Sequence, residues 1–287
     1  MVSKKIINDV IDKTILTVKC GVERIGNNSL NNHIKGAMNK FYNDSKNYPI
    51  EHEIFIDNNG HIIKEIQGNE YSVKLGNNDY IEITEHQLGD VSSIHNHVTP
   101  FGEADGNELQ LSTMFSESDV KGLWNVNTIG FDEDFEDELI GTLTKTVSCQ
   151  CSNGSRLILT RKDGSSTDNP IVKEYLDNNG NLENSDLYNN FLETYYNMEN
   201  RYIEYIGRYN TNVRKHMDDW IARNDVADYG SPERPQEAYD RYNKAYDKEV
   251  KKITKDYARN DVEFNNVLKN TVKEFDKLGF EFSMEWV

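Results

Sequence analysis

Apolar residues recur at helical spacing over residues 3–20, with Ile6, Ile7, Val10, Ile11, Ile15, Leu16 and Val18 in step. A second helical stretch covers 29–43, where Leu30, Ile34, Met38 and Phe41 share a face and Asn28 or Ser29 is the expected cap. Tyr48-Pro49 ends it. The period then falls to two. Ile54 to Ile56 runs into Asp57-Asn58-Asn59-Gly60, a tight-turn sequence, and out into His61-Ile62-Ile63. Tyr71–Leu75 and Tyr80–Thr84 around Gly76-Asn77-Asn78 predict another hairpin. Further strands are expected over Val91–His95, Trp124–Phe131, Leu139–Cys151 and Arg156–Thr160, with a helix starting at Ser116 between the first two. Strands in a mixed order with few helices predict an α+β domain.

Beyond the polar stretch 164–169 the pattern turns helical again. Leu187, Phe191, Tyr195, Met198, Tyr202, Ile206, Tyr209, Val213, Met217 and Trp220 follow at intervals of three or four. Gly230, Pro232 and Pro235 interrupt the run. Tyr239, Tyr242, Tyr246, Val250, Ile253 and Tyr257 then resume it, and Phe264–Leu278 ends at Gly279. The expected organisation is an N-terminal helical segment (1–47), an α+β domain (48–168) and a long C-terminal helical hairpin (169–287) that serves as a partner or substrate module.

Composition narrows the function classes. Across 287 residues, 49 acidic against 32 basic side chains leave a formal charge of −17. Phosphate contacts dominate nucleic-acid affinity, so a chain this acidic is not expected to bind DNA or RNA. No run of 18 apolar residues occurs, and the first twenty residues carry Lys4, Lys5, Asp9, Asp12 and Lys13. Neither a membrane span nor a signal core is expected, and the cytoplasm is the expected compartment. Three cysteines make no disulfide framework. Cys149-Gln150-Cys151 reads as two small, half-buried strand residues.

The candidate chemistry lies in His95-Asn96-His97 and Ser116-Glu117-Ser118-Asp119. Histidines at i and i+2 of a strand point to one side. Ser116 and Asp119, three apart on a first helical turn, share a face. Two imidazoles and one carboxylate make three protein ligands with a fourth position open, the pattern of a catalytic zinc site. His61, His86 and His216 stand apart in the sequence and are expected at the surface.

Three segments in order, Glu51 to Gly60, Ser93 to His97 and Phe115 to Val120, resemble the JAB/MPN (JAMM) metalloprotease family, especially its compact phage and RadC-like members. The resemblance covers roughly residues 45–165 and implies a JAB/MPN-like mixed β-sheet with flanking helices. It also implies Zn²⁺ held by His95, His97 and Asp119. Glu51 is implied as general acid/base, with Glu53 the alternative, and Ser116 as the group polarising the scissile carbonyl. The family proline after the second histidine is Val98 here, and the loop 98–113 is longer and acidic.

The implied reaction is hydrolysis of a peptide or isopeptide bond by a metal-activated water. The substrate would be a protein or peptide, in the host cytoplasm or a virion if the chain is phage-encoded. The rival expectation is a non-catalytic MPN-like assembly protein that docks a phage or host protein through 169–287. An HNH nuclease is excluded, because that class spreads its residues over a ββα unit rather than three adjacent positions.

Overall fold

The computed structural model describes residues 23–45, 48–69, 72–76, 78–79, 82–83, 90–98, 114–124, 126–128, 141–151, 154–162, 174, 178, 181–223, 240–241, 244–245, 248–249, 252 and 262–286. The expected helix over 3–20, the loop 99–113, the turn 224–239 and much of the helix expected over 239–257 lie outside them.

The elements, in order, are β1 (Glu23–Gly26), α1 (Asn32–Ser45), β2 (His52–Ile56), β3 (Ile62–Gln67), β4 (Asp90–Asn96), α2 (Glu117–Lys121), β5 (Val126–Thr128), β6 (Gly141–Gln150), β7 (Ser155–Arg161), α3 (Asp186–Arg223), α4 (Val262–Lys277) and β8 (Phe280–Trp286). The eight strands form one sheet in the order β1-β8-β7-β6-β4-β2-β3, with β5 also on β6. All pairs are antiparallel except β4 with β6. A parallel pair needs a crossover. Here the crossover leaves β4 at its histidine-bearing end, carries α2, and re-enters the sheet at the start of β6, beside Asp90.

Local chemistry explains the expected elements. Asp57 Oδ1 accepts from Asn59 N and His61 N, each at 2.8 Å, and Gly60 takes φ +78°, which closes the β2–β3 turn. α1 is capped by Asn31, whose Oδ1 accepts from His33 N and Ile34 N. Asn28 and Ser29, the caps expected from sequence, instead hydrogen-bond β8: Asn28 to Ser283 and Glu285, and Ser29 N to Glu281. Of the hairpin expected over 71–84, the described residues form no strand. Residues 72–76 are irregular, and 78–79 and 82–83 are helical. The two-residue alternation there serves a small cluster instead, in which Ile83 packs with Phe55 and Val91, and Leu75 lies against it.

The sheet has two covered faces. On one, α1 sets Ile34, Met38, Phe41 and Tyr42 over Ile54, Ile56, Ile94 and Ile158. On the other, Phe191, Tyr195, Met198 and Tyr202 of α3 and Leu268 and Phe275 of α4 pack over Leu157, Leu159, Phe282 and Met284. Burial of this apolar surface is the main stabilising term.

This arrangement corrects the expected division of the chain. Residues 280–286, assigned to a helical module, form a strand hydrogen-bonded between β1 and β7. Helices α3 and α4 share a core with the sheet rather than with each other alone. The α+β class holds. The sequence hid β8 because Phe280, Phe282, Met284 and Trp286 alternate for only seven residues directly after a helix and Gly279. Among the described residues no helix is long and apolar enough to cross a membrane.

Candidate metal centre

One transverse row of the sheet sets the geometry. Register places Glu53 beside His95, His95 beside Cys149, Cys149 beside Leu157, Leu157 beside Met284 and Met284 beside Ile25. Partners in register point to the same face. The row is therefore polar at β2, β4 and β6 and apolar under α3 and α4. Carrying the β2–β4 register two residues outward brings Glu51 opposite His97.

His95 and His97 point to this face, as their i, i+2 spacing requires, and both are buried. Their Nε2 atoms stand 3.1 Å apart. Asp119 arrives from the crossover. Ser116 is the N-cap of α2, its hydroxyl accepting from Asp119 N at 3.2 Å, while Asp119 Oδ2 accepts from Ser116 N at 2.6 Å. This reciprocal capping box aims the Asp119 carboxylate at the histidines. Oδ1 lies 3.5 Å from His95 Nε2 and Oδ2 lies 3.4 Å from His97 Nε2. Capping and the candidate ligand role are thus served by one side chain.

The separation of the two imidazole nitrogens is close to that of two ligands of one ion, and Asp119 faces them with one oxygen each. Tetrahedral ligands at about 2.0–2.1 Å from zinc stand about 3.3 Å from one another. The donor set, two imidazoles and a carboxylate, suits the same metal. His95, His97 and Cys149 also offer one ligand atom each within 4.8 Å of one another and could hold a metal ion.

Charge in this cluster is strongly coupled. Burial disfavours a His95 cation, but the Asp119 carboxylate, with Glu53 and Glu51 behind it, outweighs burial and raises its pKa to about 9. His97 is raised by the same contest, again through Asp119. Burial pushes Asp119 up, yet the two imidazoles hold it well below the usual carboxylate range. Glu51 and Glu53 are both raised by burial, partly offset by His97 and His95 for Glu51 and by His95 and the Ser93 hydroxyl for Glu53. Burial and its neighbour Cys151 raise the Cys149 thiol. Cys151 is lowered, because its bond to Cys149 and the field of His97 exceed the burial that opposes them.

The two glutamates are held differently. Glu53 accepts a hydrogen bond from Ser93 Oγ. It lines, with Phe55, His95, Asp119 and Val147, a cavity of about 140 Å³. Glu51 is buried just before β2, with its backbone tied to the end of β3 through Glu51 N to Asn69 O and Gly68 N to Glu51 O, both 2.8 Å. Asn96 adds a second tie, its Oδ1 accepting from His52 N at 2.9 Å and its Nδ2 donating to Ile50 O at 3.4 Å. His97 Nδ1 is buried without a hydrogen-bond partner among the described residues.

All five residues read from the sequence, His95, His97, Asp119, Ser116 and Glu51, are therefore neighbours, with Glu53 beside them. The sequence expectation for Cys149 and Cys151 is two small, half-buried strand residues. They are buried against the histidines with their sulfurs 3.8 Å apart. Their i, i+2 spacing on one strand was the available signal, but only the parallel β4–β6 pairing brings it next to His95 and His97. His61 is exposed in the β2–β3 turn as expected, whereas His216 is half-buried against Glu249 at 2.8 Å. His86 lies outside the described residues. A larger groove of about 500 Å³ runs between α3 and α4, lined by Asn190, Asn197, Arg201, Asn270 and Glu274, and holds none of the candidate ligands. Set against known proteins, the chain matches no family model, no curated protein and no solved structure.

Proposed function

We propose that this chain is a zinc-dependent hydrolase of peptide or isopeptide bonds, of JAB/MPN (JAMM) type. The observation that carries the reading is the pair of His95 Nε2 and His97 Nε2, 3.1 Å apart, with the Asp119 carboxylate presenting a different oxygen to each, Oδ1 at 3.5 Å and Oδ2 at 3.4 Å. His95, His97 and Asp119 would hold the ion. Zinc bound there supplies a Lewis acid that polarises a carbonyl and makes water a usable nucleophile near neutral pH.

The rest of the chemistry belongs to the chain. Glu51, opposite His97, takes the proton of the attacking water and returns it to the leaving amine. The Ser116 hydroxyl spends an acceptor site on Asp119 N, so its own proton is free to donate to the carbonyl oxygen. The cavity beside Glu53 and His95, of about 140 Å³, has room for a small group of the substrate.

A second reading, a non-catalytic assembly protein docking through α3, is favoured by Tyr196 and Ile203, both exposed on that helix. Two measurements decide between them. Zinc should be found at one equivalent in protein purified without added metal. A peptide and isopeptide panel should be cleaved by the wild type and not by His95→Ala. Metal-free protein that cannot be loaded and cleaves nothing would defeat the enzyme reading.

A further inference from the structure

The proposed centre uses two imidazoles and one carboxylate, yet the floor beneath them is sulfur. β4 and β6 run parallel in register, with His95 beside Cys149, and His97 N donates to Gln150 O at 2.9 Å. The His-x-His pair of one strand therefore lies alongside the Cys-x-Cys pair of the next. Cys149 is fully buried, and its sulfur lies within 4.8 Å of a ring nitrogen of each histidine. Among the described residues its one hydrogen-bonding neighbour is Cys151 Sγ, at 3.8 Å.

We propose that Cys149 supplies its thiolate as a fourth protein donor, so that the resting centre is His95, His97, Asp119 and Cys149. This inference rests on the metal reading above and deepens it. Zinc sets a nitrogen and a sulfur ligand about 3.5 Å apart, from bonds of about 2.0–2.1 Å and 2.3 Å. Rotation of Cys149 about its Cα–Cβ bond moves the sulfur on the scale needed to reach that separation. Asp119 reaches the two histidines from the crossover helix, and Cys149 reaches them from β6.

Two consequences follow. A thiolate selects borderline and soft cations such as zinc, cobalt(II) and cadmium over magnesium, calcium or manganese. The centre is also closed at rest, so water reaches it only by expansion to five ligands or by release of one donor. Cys151, one residue past the last β4–β6 pair (Asn96 with Gln150) and hydrogen-bonded to Cys149, lies on the His97 side and remains a supporting neighbour.

The test is the absorption spectrum of the full chain stripped with a chelator and reloaded with cobalt(II). The expected result is one bound equivalent, intense visible bands of a tetrahedral ion and a near-ultraviolet sulfur-to-cobalt charge-transfer band. In Cys149→Ser the charge-transfer band disappears while the histidines still hold cobalt, and zinc affinity falls by more than about tenfold. Cys151→Ser keeps the band. One equivalent of cobalt without a charge-transfer band in the wild type overturns the sulfur ligand and leaves the metal centre standing. A band that survives in Cys149→Ser, or vanishes in Cys151→Ser alone, also overturns it. Wild-type protein that takes up neither cobalt nor zinc overturns both this inference and the metal reading. Should Cys149→Ser not fold, the wild-type spectrum and the Cys149→Ala variant decide the matter.

Discussion

Asn96 grips the backbone on both sides of Glu51. Its side-chain oxygen accepts from His52 N at 2.9 Å, and its amide nitrogen donates to Ile50 O at 3.4 Å. The residue between the two candidate metal ligands thereby positions the candidate proton shuttle. Alternation explains how. His95 and His97 face the centre, so Asn96 faces the opposite side of the sheet, where its amide can clip the incoming chain before β2.

Asn96→Ala should therefore separate positioning from binding. Loss of the clip leaves two backbone groups without partners, one of them in buried surroundings, at a cost of about 1–3 kcal/mol. The histidines keep their strand, so zinc stoichiometry should be unchanged. Activity should fall by more than the stability loss accounts for. Denaturant midpoint, metal content and cleavage rate measured on one preparation check this. An unchanged rate at reduced stability would make Asn96 purely structural.

Glu51→Gln should keep fold and zinc but reduce hydrolysis by about 10²–10⁴-fold, the worth of a positioned proton shuttle. Glu53→Gln is the informative control. Its carboxylate is already engaged by Ser93 and sits on the cavity wall, so substrate affinity should change more than turnover. The reverse outcome, with Glu53→Gln inactive and Glu51→Gln active, would move the shuttle two residues along the chain.

Asp119 performs two tasks that substitution can part. Asp119→Asn retains an oxygen for Ser116 N, so helix capping survives and stability should change by less than about 1 kcal/mol. It loses the charge that faces His95 and His97, so zinc affinity should drop by at least about tenfold. Ser116→Ala should do the converse, costing about 1 kcal/mol of cap energy with metal retained. Calorimetric zinc titration beside thermal unfolding reads both quantities. Equal zinc affinity in Asp119→Asn and the wild type would remove Asp119 from the ligand set.

The site was legible because its parts are local. His-x-His on a strand and Ser-x-x-Asp at a helix start each fix orientation within a few residues, and backbone period alone puts them on one face. What could not be read is what long-range pairing supplies. Nothing in Cys149-Gln150-Cys151 announces that β6 lies parallel to β4 in the register that seats Cys149 beside His95. β1 was missed for a related reason. Its four residues, Glu23–Gly26, are a strand only because β8 offers an edge to pair with. The hairpin expected over 71–84 had the right alternation, but Leu75 and Ile83 found an apolar cluster to join instead of a ladder.

The β2–β3 turn should carry an acid-sensitive contribution to stability. Burial opposes ionisation of Asp57, but hydrogen bonds from His61 N and Asn59 N and the His61 ring outweigh it and lower the pKa. A carboxyl depressed in the folded state stabilises above its unfolded pKa of about 3.9. That contribution is lost as pH falls through the lower folded value. Asp57→Asn should flatten this acid limb in a stability-versus-pH series by lowering stability at neutral pH, where the charge contributes, while changing it little at acid pH. An acid limb identical to the wild type would place the sensitivity elsewhere.

Truncation after residue 168 tests the architecture. The removed part contains β8, which hydrogen-bonds both β1 and β7. It also contains ten of the twenty-one buried residues in the larger core, from Phe191 and Tyr195 through Phe282 to Trp286. Without them β7 becomes an edge strand, and Leu157 and Leu159 face water. Every residue of β7 is buried in the intact fold, so the exposed strand would be apolar and unpaired, which is an aggregation template. The expected outcome for residues 1–168 is insoluble protein, or soluble protein without a cooperative thermal transition by circular dichroism, and loss of zinc binding with it. Adding residues 181–286 back as a separate chain should restore some structure if the two halves meet across β1, β8 and β7. A cooperative, zinc-binding 1–168 fragment would instead show that the first seven strands suffice and that the helices only cover them.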